Sequence, residues 1–135
     1  MTTHSIINPP GLHNPVGYGY SHTVDIPAPA GLVLIGGQYG SDAEGAVVSD
    51  DFAEQVERAF TNLGTALAAA GLDYTHVTRL GTYIVDHDQD KLAALLAVVS
   101  RIWGDEPPAQ TLLGVATLAL PGMLFEVDAI AVRSA

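Results

Sequence analysis

Two carboxylates, Glu126 and Asp128, stand two residues apart in the run Phe125-Glu-Val-Asp-Ala-Ile-Ala-Val132. If that run is a strand, alternate side chains share a face and the two acids lie on one side, roughly 7 Å apart. Ile130 and Val132 continue that side, while Phe125, Val127, Ala129 and Ala131 form the other. A glutamate in half-apolar surroundings has its pKa raised, which suits a general acid or base near neutral pH. Such a pair could share a water or hold two protonation states apart. The competing reading of each acid is a solvated or interface residue of an acidic protein.

Residue types exclude much other chemistry. There is no cysteine, so disulfides, thiolate nucleophiles and cysteine-type zinc sites are ruled out. His4, His13, His76 and His87 show no ligand spacing, so neither a metal nor a cofactor is expected. None of the glycines forms a phosphate loop. Fifteen acids against five bases give a net charge of −10, and the bases Arg58, Arg79, Lys91, Arg101 and Arg133 are scattered. A nucleic-acid binder clusters its cations against phosphates, so nucleic acid is not an expected partner. The acidity serves solubility and biases the chain against anionic partners.

The longest apolar runs, Gly31 to Gly37 and Leu92 to Val99, fall far short of the roughly 20 residues of a membrane span. The N-terminal MTTHSIINPPG lacks a signal-peptide pattern, so the cytoplasm is the expected location and no membrane is an expected partner.

The elements that must carry the acids can be read from periodicity. With 135 residues, 48% of them hydrophobic, a single domain with a real core is expected over residues 1–135. Residues 1–17, rich in proline and glycine, read as an irregular leader. Tyr18 to Ile26 and Leu32 to Tyr39 suggest two strands in a hairpin around Pro27-Ala28-Pro29-Ala30-Gly31.

Phe52, Val56, Ala59/Phe60, Leu63 and Leu67 recur at helical steps over Asp50 to Ala70. Asp50 or Asp51 caps that helix, Glu54 is placed for a capping box, and Gly71 ends it. Val77 to Val85 is a third strand and Asp88 to Trp103 a second helix, ended by Gly104 and Pro107-Pro108. Gln110 to Leu120 and Met123 to Arg133 are two more strands, joined tightly at Pro121-Gly122. The order ββ-α-β-α-ββ predicts an α+β sandwich with both helices on one face of the sheet. The last strand is apolar on both sides, and two helices cannot cover two faces. A partner subunit is the simplest cover.

The segment Pro108-Ala-Gln-Thr-Leu-Leu-Gly-Val-Ala-Thr-Leu-Ala-Leu-Pro-Gly-Met-Leu-Phe-Glu-Val-Asp-Ala-Ile-Ala-Val132 closely resembles the signature end of the RidA/YjgF family, also called the L-PSP family. Gly19-Tyr20-Ser21-His22 is similar to its first-strand motif, Gly36-Gly37-Gln38 to its Ser-Gly-Gln turn, and Gln55 to Gly71 with Val77 to Asp86 to its long helix and next strand. The resemblance spans about residues 16–133. It implies a chorismate-mutase-like fold with a mostly antiparallel sheet. It implies a homotrimer that binds small molecules in clefts between subunits. For the best-known branch it implies hydrolysis of enamines and imines such as 2-aminoacrylate.

The resemblance also implies site residues, and here the chain departs from the pattern. In the deaminases an arginine of a Pro-Ala-Arg-Ser/Thr motif grips the substrate carboxylate; here the motif reads Pro108-Ala109-Gln110-Thr111. Gln110 can donate hydrogen bonds but cannot neutralise a carboxylate. Gly36 replaces the turn serine, Leu96 falls on the helix asparagine, and Leu112 stands where cysteine is frequent. Tyr20 matches the cleft tyrosine, with Tyr18 nearby as a substitute, and the sequence leaves open whether Asp128 or His22 takes part. Glu126 matches the glutamate that positions or activates water. Tyr20 could instead be a packing aromatic, and Gln110 a simple loss of function. The expectation is therefore a RidA-like hydrolase of a small enamine or imine, with Glu126 catalytic and Tyr20, Gln110, Leu112 and Gly36 around the substrate. The alternative is a non-enzymatic homotrimer that binds a small molecule or regulates.

Overall fold

A computed structural model describes residues 4–134. Eight elements follow in order: β1 (Ser5–Ile7), β2 (Thr23–Asp25), β3 (Ala30–Tyr39), α1 (Phe52–Ala69), β4 (Val77–Val85), α2 (Gln89–Trp103), β5 (Ala109–Val115) and β6 (Phe125–Ser134). Strands β3 to β6 form one sheet in the order β3-β6-β4-β5, and β1 pairs with β2 in a separate ribbon. The α+β architecture and the two helices follow the sequence reading. No helix among the described residues is long and apolar enough to cross a membrane.

The helices form where their periodicity and caps place them. Asp51 caps α1 by accepting the Glu54 N–H at 2.9 Å. The expected capping box is opened by Ser49, whose hydroxyl takes the Asp51 N–H at 2.9 Å and bonds the Glu54 carboxylate. Val56, Ala59, Phe60, Leu63 and Leu67 are buried, and Gly71 at φ 75° ends the helix. Asp88 caps α2 on the Lys91 N–H. That helix is the crossover joining β4 to β5, the parallel pair of an otherwise antiparallel sheet. Phe60 and Phe125 stack at 5.9 Å in a core walled by both helices and one sheet face.

Two strand connections differ from the expectation. The segment read as the first strand opens with a short turn at Val16–Tyr18 and bends at Gly19, φ 81°. Ser21 then bridges Ala109, and only Thr23–Asp25 is extended enough to pair, with Ser5–Ile7 of the leader. Pro27 and Pro29 lack the N–H donors that a hairpin with β3 would use. The second difference is that β5 stops at Val115 and does not pair with β6 across Pro121-Gly122. The residues between carry the chain back so that β6 runs between β3 and β4, with antiparallel neighbours on both sides.

The central position of β6 explains its two-sided apolar pattern. Phe125, Val127, Ala129 and Ala131 are buried under the helices. On the other face Ile130 pairs with Leu34 and Val132 with Leu32, yet Leu34 is 73% exposed and Leu32 62%. One chain thus leaves this second face largely open.

The entry into β6 is set by Gln55, wholly buried on the first turn of α1. Its amide donates to the carbonyls of Ser49 and Gly122, both at 2.8 Å, and accepts the Leu124 N–H at 2.8 Å. A Cβ on Gly40 would press into the Gln55 backbone, so β3 and α1 meet there without a side chain between them. Gln55→Met keeps the volume and leaves three backbone groups unpartnered. It should cost about 3 kcal/mol of stability in a denaturant titration.

Candidate active site

The open face of the sheet carries the acidic pair. Glu126 of β6 lies opposite Tyr83 of β4, and Asp128 lies opposite Gly81, so the alternation of both strands puts these groups on one side. The two acids are not equivalent. Asp128 accepts the Gly81 N–H at 3.1 Å with one oxygen and the Tyr83 hydroxyl at 2.9 Å with the other. Position 81 must be glycine for this, because a Cβ there would run into the Asp128 carboxylate. The hydrogen bond to Asp128, with burial and that charge, holds the Tyr83 phenol above its usual range.

Glu126 has no hydrogen-bond or ion-pair partner among the described residues and is half-buried, its carboxylate lying over the bare backbone of Gly37. Burial first, and then the Asp128 charge, raise its pKa above the ordinary carboxylate value. The pair therefore divides its work: Asp128 is spent on structure, and Glu126 is left basic and free. Arg79 stands exposed beside Gly81 on this face. Gly36 is exposed at the irregularity of β3 next to Gly37, on the Glu126 side of the expected site.

A second feature lies at the other surface of the sheet. Gln110 of β5 pairs with Leu80, a fully buried core residue, so its side chain points to the helix side. Its amide donates to the Gly19 carbonyl at 2.7 Å and accepts from the Thr82 hydroxyl at 3.1 Å. Ser21 adds two bonds, its N–H to Pro108 O at 3.0 Å and its hydroxyl to Pro107 O at 2.6 Å. The leader is thereby pinned along the start of β5. A cleft of about 400 Å³ opens there, lined by Tyr18, Tyr20, Leu92, Leu95, Gln110 and Leu112. The Tyr20 hydroxyl meets Nε2 of His13 at 2.8 Å, and His22 Nε2 donates to the His13 carbonyl at 2.8 Å. Tyr20, His13 and His22 contact edge to face, with centroids 4.9 to 6.1 Å apart. His22 thus backs the cleft wall. Leu96 packs against Gly19 beneath it.

Within one chain, then, Tyr20, Gln110 and Leu112 come together around the cleft, while Glu126 and Gly36 belong to the opposite face. His13, Thr82, Tyr83 and Gly81 were not singled out by sequence as site residues, and Gly37 entered only as part of the Gly36-Gly37-Gln38 turn. Alternation along Val77 to Val85 carried a signal for Gly81 and Tyr83, since it groups them on one face once β4 is known to neighbour β6.

Residues 13–133 match the endoribonuclease L-PSP family, nearly the whole chain. The chain belongs to this RidA/YjgF family. Protein DfrA of Myxococcus xanthus is 36% identical over 115 residues, covering 84% of each chain. The 2-iminobutanoate/2-iminopropanoate deaminase of Capra hircus is 33% identical over 102 residues, covering 75% of this chain and 72% of that one. Among solved structures, the Rid family protein YyfB of Yersinia pestis, of unknown function, superposes with a TM-score of 0.89 at 34% identity, covering 96% of this chain and 98% of that one. The RidA-like fold of the chain is shared along almost its full length with that neighbour.

The electrostatics of Glu126 make a stability test possible. A carboxyl whose pKa folding raises binds its proton more tightly when folded, so stability falls as pH rises from the ordinary carboxylate value through the raised one. Glu126→Gln should melt higher than the parent at about pH 7, and the difference should close below about pH 4. Circular-dichroism melts across pH check both.

Proposed function

We propose that this chain is a RidA-type hydrolase working in the cytoplasm on a small enamine or imine that lacks the usual carboxylate. The observation that carries the reading is Glu126: a half-buried, unbonded carboxylate of raised pKa, held beside an Asp128 whose oxygens are already taken. The family relationship to named imine deaminases supports the reaction class. Gln110 in place of arginine, with its amide engaged by Gly19 and Thr82, supports the change of substrate.

In the proposed reaction a water oxygen attacks the carbon of the C=N bond while Glu126 takes the water's proton. The π pair moves to nitrogen, which gains a proton, giving a carbinolamine. Glu126 supplies the proton that nitrogen gains, then carries the hydroxyl proton to the same nitrogen. C=O forms, the C–N bond breaks, and ammonia leaves with Glu126 again ionised. An enamine enters the same route after protonation at carbon.

The cleft residues and Glu126 face opposite ways, so a complete site takes two copies, the open face of one against the cleft edge of the next. The exposed Leu32 and Leu34 on that face support such an assembly, and we assign it as the homotrimer. Sedimentation velocity should show one species of three chains. RNA is not the proposed substrate despite the family's name, because net charge −10 opposes phosphate binding.

Glu126→Gln should lower kcat/KM for imine hydrolysis by on the order of 10²- to 10⁴-fold. For the parent, kcat/KM should fall as pH drops through the raised Glu126 pKa, and Asp128→Asn should move that limb to lower pH. Ammonia release from imines made in situ reads all of these; a Glu126→Gln variant as active as the parent sinks the reading. The engagement of Gln110 within the chain also suits a second reading, a trimer that binds a metabolite without consuming it. A ligand that raises Tm and is recovered unchanged would favour that one.

A further inference from the structure

We propose that the cleft beside Gln110 takes a cation, the protonated imine of a simple amine bearing an apolar or aromatic group. The reaction follows the hydrolase reading above, whereas the recognition argument stands on the cleft alone.

Within one chain the cleft holds no side-chain cation to pair with an anion. Gln110 at its base gives one amide N–H to the Gly19 carbonyl and takes the Thr82 hydroxyl on its oxygen, and the other polar groups of the lining, Thr111 and the tyrosine hydroxyls, are neutral. The basic residue next to Leu92, Lys91, gives its ammonium to the carbonyls of Val85 at 3.1 Å and Asp86 at 2.6 Å. Arg101 is paired with Glu57 in two hydrogen bonds between α2 and α1. Arg79 lies on the far side of its own sheet, beside Gly81. The face it shares with the Glu126 and Asp128 carboxylates stays net negative where the proposed assembly brings it to the next copy's cleft. Among the described residues no Lys or Arg lines the cleft. A carboxylate would enter with no side-chain cation of that chain to neutralise it, against the field of a protein of net charge −10.

The same surroundings suit a cation. Tyr18 and Tyr20 present phenol rings at the cleft, and an aromatic face attracts a cation through its quadrupole. Tyr20 is fixed for this role: its hydroxyl is occupied by His13 and its ring is braced by His22. Leu92, Leu95 and Leu112 supply the apolar wall for the rest of the molecule. The volume of about 400 Å³ lies toward the low end for small-molecule sites. A protonated imine, R₂C=NH₂⁺, is also the more electrophilic form of the substrate. Its hydrolysis balances with water alone: R₂C=NH₂⁺ and H₂O give R₂C=O and NH₄⁺, with no oxidant or reductant.

The test titrates the full chain with benzyltrimethylammonium and, separately, with phenylacetate, by calorimetry and by Tm. The cation should bind saturably and raise Tm while phenylacetate does neither. Tyr18→Leu and Tyr20→Leu should each weaken the cation about tenfold. Tyr18 is 61% exposed, so its variant reads recognition without threatening the fold. Gln110→Arg should reverse the preference in favour of phenylacetate. Phenylacetate binding as tightly as the cation, or cation affinity unchanged in the Tyr18→Leu, Tyr20→Leu double variant, overturns the proposal. A second arm follows imines made in situ from benzylamine by an amine oxidase and from alanine by an amino-acid oxidase, with semicarbazide as trap. Cation binding with no hydrolysis of either imine supports this inference and sinks the hydrolase reading. Hydrolysis of the alanine-derived imine alone, without cation binding, does the reverse.

Discussion

The side chain of Gln55 gives its N–H groups to the carbonyls of Ser49 and Gly122 and takes the N–H of Leu124, all inside the protein. An amide without partners could not stay there, since an unmet buried polar group costs about 1 to 3 kcal/mol. With all three bonds made, it locks the head of α1 to the segment that feeds β6. The strand then enters between β3 and β4, and every other feature of the sheet depends on that entry. Had β6 folded back on β5 at Pro121-Gly122, Glu126 would not lie opposite Tyr83, nor Asp128 opposite Gly81.

From this placement follows the unequal fate of the two acids. Asp128 meets a bare backbone N–H at Gly81 and a phenol at Tyr83, and both of its oxygens are used. Glu126 meets Gly37, which has no side chain and offers it no donor. Identical chemistry at alternate positions of one strand thus yields a structural anchor and a free base. The desolvation that raises the pKa of Glu126 is a cost to the fold, of the kind expected where function constrains packing.

The helices were legible in the sequence because their information is local: a 3.6-residue period, an aspartate at each start and a glycine at each end. The same holds for the alternation of Phe125 to Val132, which correctly implied a strand apolar on both sides. What misled was the continuation of apolar residues through Leu118 and Leu120, which lengthened β5, and the apparent hairpin around Pro27 and Pro29. Strand pairing is non-local, and neither a proline's missing donor nor a short loop says which distant edge a strand will find.

The family, the helices, the acid pair and the neutral glutamine at position 110 were all determined by the sequence itself, because each rests on residue type and short-range spacing. Only the tertiary structure decided that Gln110 points to the helix side and Glu126 to the open side. Only it showed the Gln110 amide committed to Gly19 and Thr82, and Asp128 to Gly81 and Tyr83. The physical reason is the sheet itself. A side chain's face is fixed by its strand's register against neighbours distant in the chain, as Tyr83 and Glu126, 43 positions apart, are. The partners available on that face, not the residue alone, decide whether a polar group is free to do chemistry.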